Sequence, residues 1–378
     1  MSAEIYYKSI PITKSLVPDF ETIAPEISDI LESGRTTNAR NVEELEKAVA
    51  DYLGVEHAVA VSSSTAGMML TIKSLGLSGE IILPGFNFHS AADAVLWNGL
   101  KLKFVDIDPE TWTIDPEKVE DNITENTSAI CGAHIFGNPC DIEKLQQIAD
   151  DNNLKLYFDA AHAFGSKYHN KYIGNFGNAE IFSLNSSTSS SPGEGGIVTT
   201  NDEELKDYLL TGRNYGDEVE LGSQFPAFNA RMSEFNAILV RYSLQNIEEG
   251  IRSRNGVVTK YRNVLKNVPG ISFQETTTHS RSAYNEFAIS INTDEFGMTR
   301  DELAEKLSEF NIETRKHYYP PVHRLKAYSE HVQSSIDLPV TDELSENVLS
   351  LPIWSQMSSN IAGKVCSSIQ KIRMDTVK

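Results

Sequence analysis

Residues 57–70 read HAVAVSSSTAGMML. A short apolar, β-branched run suits a strand, the three serines and threonine that follow mark a turn, and AGMML opens an apolar helical face. The same alternation continues outward to about residue 200. Strands are expected at 57–62, 81–83, 102–106, 129–135, 156–159, 179–184 and 196–200, with helical stretches between them. Strands alternating with helices predict a mainly parallel sheet covered on both faces, so the fold class is α/β. In open sheets of that kind ligands bind beyond the carboxyl ends of the strands. Several of these runs end in polar or small residues.

Downstream, Phe235, Ile238, Leu239, Tyr242, Leu244 and Ile247 recur at helical spacing, and no Gly or Pro interrupts them before Gly250. The spacing predicts one long connecting helix over 232–261. After Pro269 the pattern reads strand 271–274, strand 285–291, helix 300–310, strand 313–318 and helix 342–350. Two domains are expected: 1–250, a large α/β domain with an N-terminal segment and the connecting helix, and 251–378, a smaller α+β domain.

Charge and cysteine usage narrow the partners. The 378 residues carry 53 acidic and 33 basic side chains, a formal charge of −20, which repels a polyphosphate backbone and argues against a nucleic-acid partner. Three cysteines, Cys131, Cys140 and Cys366, have no C-x-x-C spacing and read as buried spectator thiols of a reducing compartment. The first twenty residues lack the apolar core of a leader, and no apolar run reaches the ~20 residues of a membrane span. A cytoplasmic protein without a membrane partner is expected. The chain contains no dinucleotide fingerprint, P-loop or spaced set of metal ligands.

Three segments carry candidate chemistry. In VSSSTAGMML (61–70) hydroxyls and unsatisfied N–H groups meet at a helix start, which suits either an anion seat or an ordinary cap. In LYFDAAHAFG (156–165) Asp159 ends an apolar strand, where a carboxylate is costly unless it meets a cation or several donors. His162 follows three residues later, as a site residue or a core histidine. PGFNFHS (84–90) offers Phe86 and Phe88, for stacking on a flat heterocycle or for packing.

Taken together with FVDIDPETWTIDPE (104–117), HIFGNPCD (134–141), GEGG (193–196), GRNYG (212–216), FNARMSEF (228–235) and HYYPPVH (317–323), these segments fall in an order that resembles the DegT/DnrJ/EryC1/StrS family, the nucleotide-sugar aminotransferases of the pyridoxal phosphate (PLP) fold type I. The resemblance covers about residues 10–370. It implies that Asp159 faces the pyridine nitrogen, that His162 lies near the phenolic oxygen, and that Phe88 stacks on the ring. It also implies phosphate contacts from Ser64, Thr65 and Ser183, and from Asn229 reaching across a homodimer. His317 and Tyr318 fall in a loop that approaches the sugar.

One departure decides the chemistry. Where family members resemble FSFHATKxxxxGEGG, this chain reads FSLNSSTSSSPGEGG (182–196) without a gap. On that register Thr188 stands at the Schiff-base lysine, Asn185 at the histidine three residues earlier, and no lysine occurs between Lys171 and Lys206. A hydroxyl supplies neither a covalent tether nor a basic nitrogen. A second departure, Ser64 in place of a family glycine, adds a side chain that either crowds the phosphate or gives it one more hydroxyl.

The expected function is a family protein that acts on or binds a keto-deoxy nucleotide sugar, holding PLP or pyridoxamine phosphate (PMP) non-covalently. Two alternatives stay open: a non-catalytic module that keeps the cofactor or sugar pocket as a sensor or partner, and a PMP-dependent dehydratase-like enzyme with an unusual base. His162, His89 and His134 are the candidate bases. Arg213 and Arg231 suit either a nucleotide diphosphate or an interface ion pair. The acidic runs 43–46 and 202–204 read as solvated helix faces.

Overall fold

A computed structural model describes residues 9–185, 192–218, 222–332 and 336–376. Seven strands form the main sheet: β1 (His57–Val61), β2 (Glu80–Pro84), β3 (Lys101–Val105), β4 (Thr127–Ala133), β5 (Lys155–Asp159), β6 (Ala179–Ser183) and β7 (Gly196–Thr200). Their spatial order is β1-β7-β6-β5-β4-β2-β3. Every strand expected between residues 57 and 200 is present to within two residues at each end. Pairing is parallel from β6 through β3, whereas β7 runs antiparallel to both β1 and β6. Six strands therefore point one way and β7 alone is reversed.

Period-two alternation sorts the strand side chains onto two faces. Val59, Val61, Ile81, Leu83, Tyr157 and Ile181 join one apolar cluster with Met68 and Leu70 of α3 (Ser64–Ser74), Ala91 and Ala94 of α4 (Ser90–Trp97) and Leu209 of α7 (Glu203–Gly212). Ala60, Ile82, Leu156, Phe158 and Phe182 join the other, against α2 (Arg40–Leu53), α6 (Ile142–Asp151) and α8 (Glu234–Gln245). Helices on both faces bury the sheet completely, which is why its strands read as apolar runs.

The single helix expected over 232–261 is two. α8 stops at Gln245 and α9 (Ile247–Leu265) restarts beyond Asn246, whose backbone leaves the helical region at φ −115°. Helical spacing alone does not reveal this break, because the apolar stripe continues through it. α9 then passes from one core to the next: Ile247 and Ile251 pack under the main sheet, Val257, Val258 and Tyr261 against a three-stranded sheet.

That smaller sheet is antiparallel, with β9 (Phe287–Ile291) between β8 (Ile271–Phe273) and β10 (Val348–Leu351). It is covered by α9, α11 (Arg300–Glu309) and α13 (Ser359–Thr376). Two expectations fail here. Residues 313–318 form no strand; they make one bridge, Arg315 to Ser350, before the chain turns toward the main sheet. The expected helix 342–350 is α12 (Pro339–Asn347) followed by β10, since Val348, Leu349 and Leu351 go into the apolar layers beside β9.

A buried carboxylate ties the C-terminal region to the large sheet. α12 begins with Pro339 and has no cap from its own N-cap residue, Leu338. Its orphan donors meet Asp106 instead: Val340 N–H at 3.0 Å, Thr341 N–H at 2.8 Å and the Thr341 hydroxyl at 2.7 Å all donate to the Asp106 carboxylate. Replacing Asp106 with Ala should lower unfolding stability by about 3 kcal/mol, because buried donors lose their acceptor. Asp106→Asn should recover part of that, as read by chemical denaturation.

Candidate active site

The direction of β7 builds the site. With six strands ending and β7 beginning at one edge, the ends Pro84, Ala133, Asp159 and Ser183 come together with the start Gly196. Above that edge lies a cavity of about 390 Å³. Ser64, Thr65, Phe88, Asp159, His162, Ser183, Asn185, His317 and Tyr318 all line it, which brings most of the expected site residues to one place. Thr188 lies outside the described residues. Asn229 is exposed and does not line the cavity; its side chain accepts from the Arg231 N–H at 3.3 Å.

At one end sits Asp159, 5% exposed, with Ala161 N–H donating to one carboxylate oxygen and the Asn87 amide to the other, each at 3.1 Å. Burial pushes its carboxyl above the usual range, against the pull of those donors and of His162. A cation in the cavity would reverse that shift. Along the same wall lies the first turn of α3. Ser63 is an ordinary cap, accepting from Ala66 N–H at 3.1 Å, while Ser64 and Thr65 face the cavity. A Cβ on Gly196 would stand 2.5 Å from the Ser64 nitrogen, so only glycine lets β7 start against that turn. The cavity thus presents a buried acid and a helix N-terminus with hydroxyls.

A third group was not visible as a site in the sequence. Asn285, Glu286 and Arg315 also line the cavity. The Glu286 carboxylate, 7% exposed, stands 2.9 Å from His317 Nδ1, within ion-pair reach although off the hydrogen-bonding line. Burial pushes the Glu286 carboxyl up, but the neighbouring His317 and His162 outweigh it and hold it at about 2. The His317 ring stacks on Tyr318 at 5.0 Å, Tyr318 on Phe136 at 6.0 Å, and Phe136 on His162 at 6.1 Å, one column with an imidazole at each end. Burial pushes His162 below its ordinary value. Asn87 lies within PGFNF, where only Phe86 and Phe88 were singled out; Glu286 had no local signal, because its role comes from a residue 31 positions away.

Several candidates resolve to structure. Phe86 is fully buried and packs edge-on to Phe136 and Tyr318. Phe88, 48% exposed, stays at the cavity wall. His134 lines the cavity, but both ring nitrogens are engaged: Cys140 N–H donates to Nδ1 at 3.1 Å, and Nε2 meets Glu180 at 3.1 Å. His89 pairs with Asp93 at 2.8 Å and is not among the lining residues. Arg213 is buried against Glu46 and donates to the Ala60 carbonyl at 2.8 Å, an internal pair, so Glu46 belongs to no solvated face. Arg231 donates to Asn214 at 2.6 Å. Asp202 caps α7. All three cysteines are buried and unpaired. Among the described residues no helix is long and apolar enough to cross a membrane, and no cluster of three or more His, Cys, Asp or Glu side chains is placed to hold a metal.

A model of the DegT/DnrJ/EryC1/StrS aminotransferase family matches residues 19–370. The chain belongs to this family. Its similarity to dTDP-4-amino-4,6-dideoxy-D-glucose transaminase of Escherichia coli is 34% identity over 361 residues, 95% of this chain and 97% of that one. The dTDP-3-amino-3,6-dideoxy-alpha-D-galactopyranose transaminase of Aneurinibacillus thermoaerophilus is 31% identical, over 92% and 94% of the two chains. Among solved structures, DesI in the presence of its TDP-sugar product superposes with a TM-score of 0.90 at 31% identity, covering 99% of this chain and 96% of that one. The architecture is that of the family's sugar aminotransferases.

The depressed Glu286 carboxyl makes stability depend on pH. Its value is about 2 in the folded chain against 4.5 for the free side chain, so its contribution is complete above about 4.5 and is lost as pH falls toward 2. That contribution is about 3 kcal/mol. Denaturation curves between pH 5 and pH 3 should therefore fall more steeply for the unmodified protein than for Glu286→Gln.

Proposed function

We propose that this chain binds PLP or PMP non-covalently in the cavity beside Asp159 and acts there on a keto-deoxy nucleotide sugar. The observation that carries the reading is the pairing of a buried, cation-seeking carboxylate with an anion seat in one cavity of a family member; on the register read from the sequence, Thr188 would stand at the lysine position. The residues present fit a flat, phosphate-bearing heterocycle that carries a protonated nitrogen. They do not fit a covalent tether: no lysine lines the cavity among the described residues, and none occurs from 172 to 205.

Asp159 would hold the ring nitrogen in its protonated form, and Ala161 N–H and Asn87 orient that carboxylate. Ser64, Thr65 and Ser183, with the first-turn N–H groups of α3, would hold the phosphate. Ser64 then adds a hydroxyl to the seat that the family glycine lacks. Phe88 would cover the ring face. When bound, the cofactor supplies an electron sink and, in its amine form, the nitrogen to be transferred. The exposed position of Asn229 supports a role across a homodimer rather than in its own subunit's cavity. A cytoplasmic location belongs to the same reading, in keeping with three unpaired thiols.

Equilibrium dialysis should show reversible PMP binding that weakens at least tenfold in Asp159→Asn, and borohydride should fix no pyridoxyl group on the protein. Binding that ignores Asp159, or a fixed label on a lysine, would contradict the reading. The double change Thr188→Lys with Asn185→His should restore an imine absorption band on adding PLP. A sound pocket that yields no band would count against cofactor binding here.

A further inference from the structure

Without the lysine, a proton must be carried by another group, and the histidines of the site are not equivalent. Both nitrogens of His134 are engaged, and His89 is not among the lining residues. His162 is driven toward its neutral form by burial and has no carboxylate within ion-pair reach among the described residues. His317 lines the cavity with its Nδ1 2.9 Å from a buried carboxylate; His134 also meets one, Glu180 at 3.1 Å, but its other nitrogen is taken by the Cys140 N–H.

We propose that Glu286 and His317 are the proton-transfer pair of this cavity, taking over the acid–base work of the absent lysine. The inference rests on the reading of the cavity as a PLP or PMP site. Glu286 Oε1 faces Nδ1, which leaves Nε2 as the nitrogen that takes a proton. The proton passes from a C–H bond to Nε2, the electron pair stays with the carbon skeleton, and the imidazolium returns the proton at the second carbon. No oxidant or reductant is consumed. Glu286 acts through His317, as a positioning residue: its negative charge stabilises the imidazolium while the ring carries the proton.

The pair is held on both sides. Glu286 immediately precedes β9, and His317 follows the bridge from Arg315 to Ser350 of β10, so two neighbouring strands of the small sheet fix their separation. The Tyr318 ring, 7° from parallel, buttresses the imidazole. His134, Asp159, His162, Glu194, Arg315 and Tyr318 are the other charged or titratable groups that share the cavity with the pair. A purely structural pair, pinning the 313–323 loop to the sheet, would need neither the cavity position nor a carboxylate kept ionised.

The full-length chain is tested with PMP alone in deuterium oxide, following hydrogen exchange at the C4′ methylene by proton NMR. PMP affinity is measured separately by dialysis. The unmodified protein should exchange well above the protein-free rate. His317→Gln should slow exchange about 100-fold, in line with the worth of a positioned base, and Glu286→Gln about tenfold. Affinity should stay within about threefold in both, since neither residue is assigned to hold the cofactor. Added imidazole should restore exchange to His317→Ala, which a structural defect would not allow. In the cofactor-free chain, the Glu286 carboxyl followed by carbon NMR should rise from about 2 toward the ordinary range in His317→Gln.

PMP binding with unchanged exchange in His317→Gln, or no exchange by the unmodified protein, overturns the pair while leaving the cofactor reading intact. A Glu286 carboxyl that does not respond to His317 overturns it as well. No PMP binding by the unmodified protein overturns the cofactor reading, and the pair with it.

Discussion

A carboxylate at the buried end of β5 is the constraint around which the cavity is organised. Asp159 has donors on both oxygens, from Ala161 and Asn87, and burial still raises its carboxyl above the usual range. Two neutral donors do not replace the water it has lost. The remaining demand is for positive charge, and no lysine lines the cavity among the described residues. On the proposed reading, a protonated heterocycle would satisfy that demand without a covalent bond.

The rest of the site follows from one reversed strand. Because β7 starts at the edge where its neighbours end, Gly195 and Gly196 reach the same wall as the first turn of α3. Glycine at 196 is a steric requirement: a side chain there would strike backbone atoms of Ser63 and Ser64, which cannot move without shifting the helix start. The anion seat and the acid are thereby set on a rigid sheet edge. The small sheet and the loop after it then close the cavity with Glu286, Arg315 and His317, residues that come from outside the main sheet.

These two sources explain the division of chemistry within the cavity. The sheet edge contributes groups suited to holding a cofactor, namely Asp159, Ser64, Thr65 and Ser183. The C-terminal region contributes titratable groups suited to moving protons. Two imidazoles of the site have a buried carboxylate within ion-pair reach, His317 beside Glu286 and His134 beside Glu180, and His134 is further held by the Cys140 N–H.

Much of this was written locally in the chain. Alternating apolar runs such as HAVAV and LYFD declared their strands, since side-chain period and burial on two faces are properties of neighbouring residues. The hydroxyls of 62–65, Asp159 at a strand end and the absence of any lysine from 172 to 205 were equally plain, and with them the central question about the chemistry. Long-range packing settled the remainder. The reversal of β7, the break at Asn246 and the passage of residues 348–351 into a strand depend on which partner strand or core receives each segment, and local periodicity is blind to that. The meeting of Glu286 with His317 is of the same kind. It joins residues 31 positions apart across two strands, and a Coulomb interaction of that sort exists only once the chain has closed on itself.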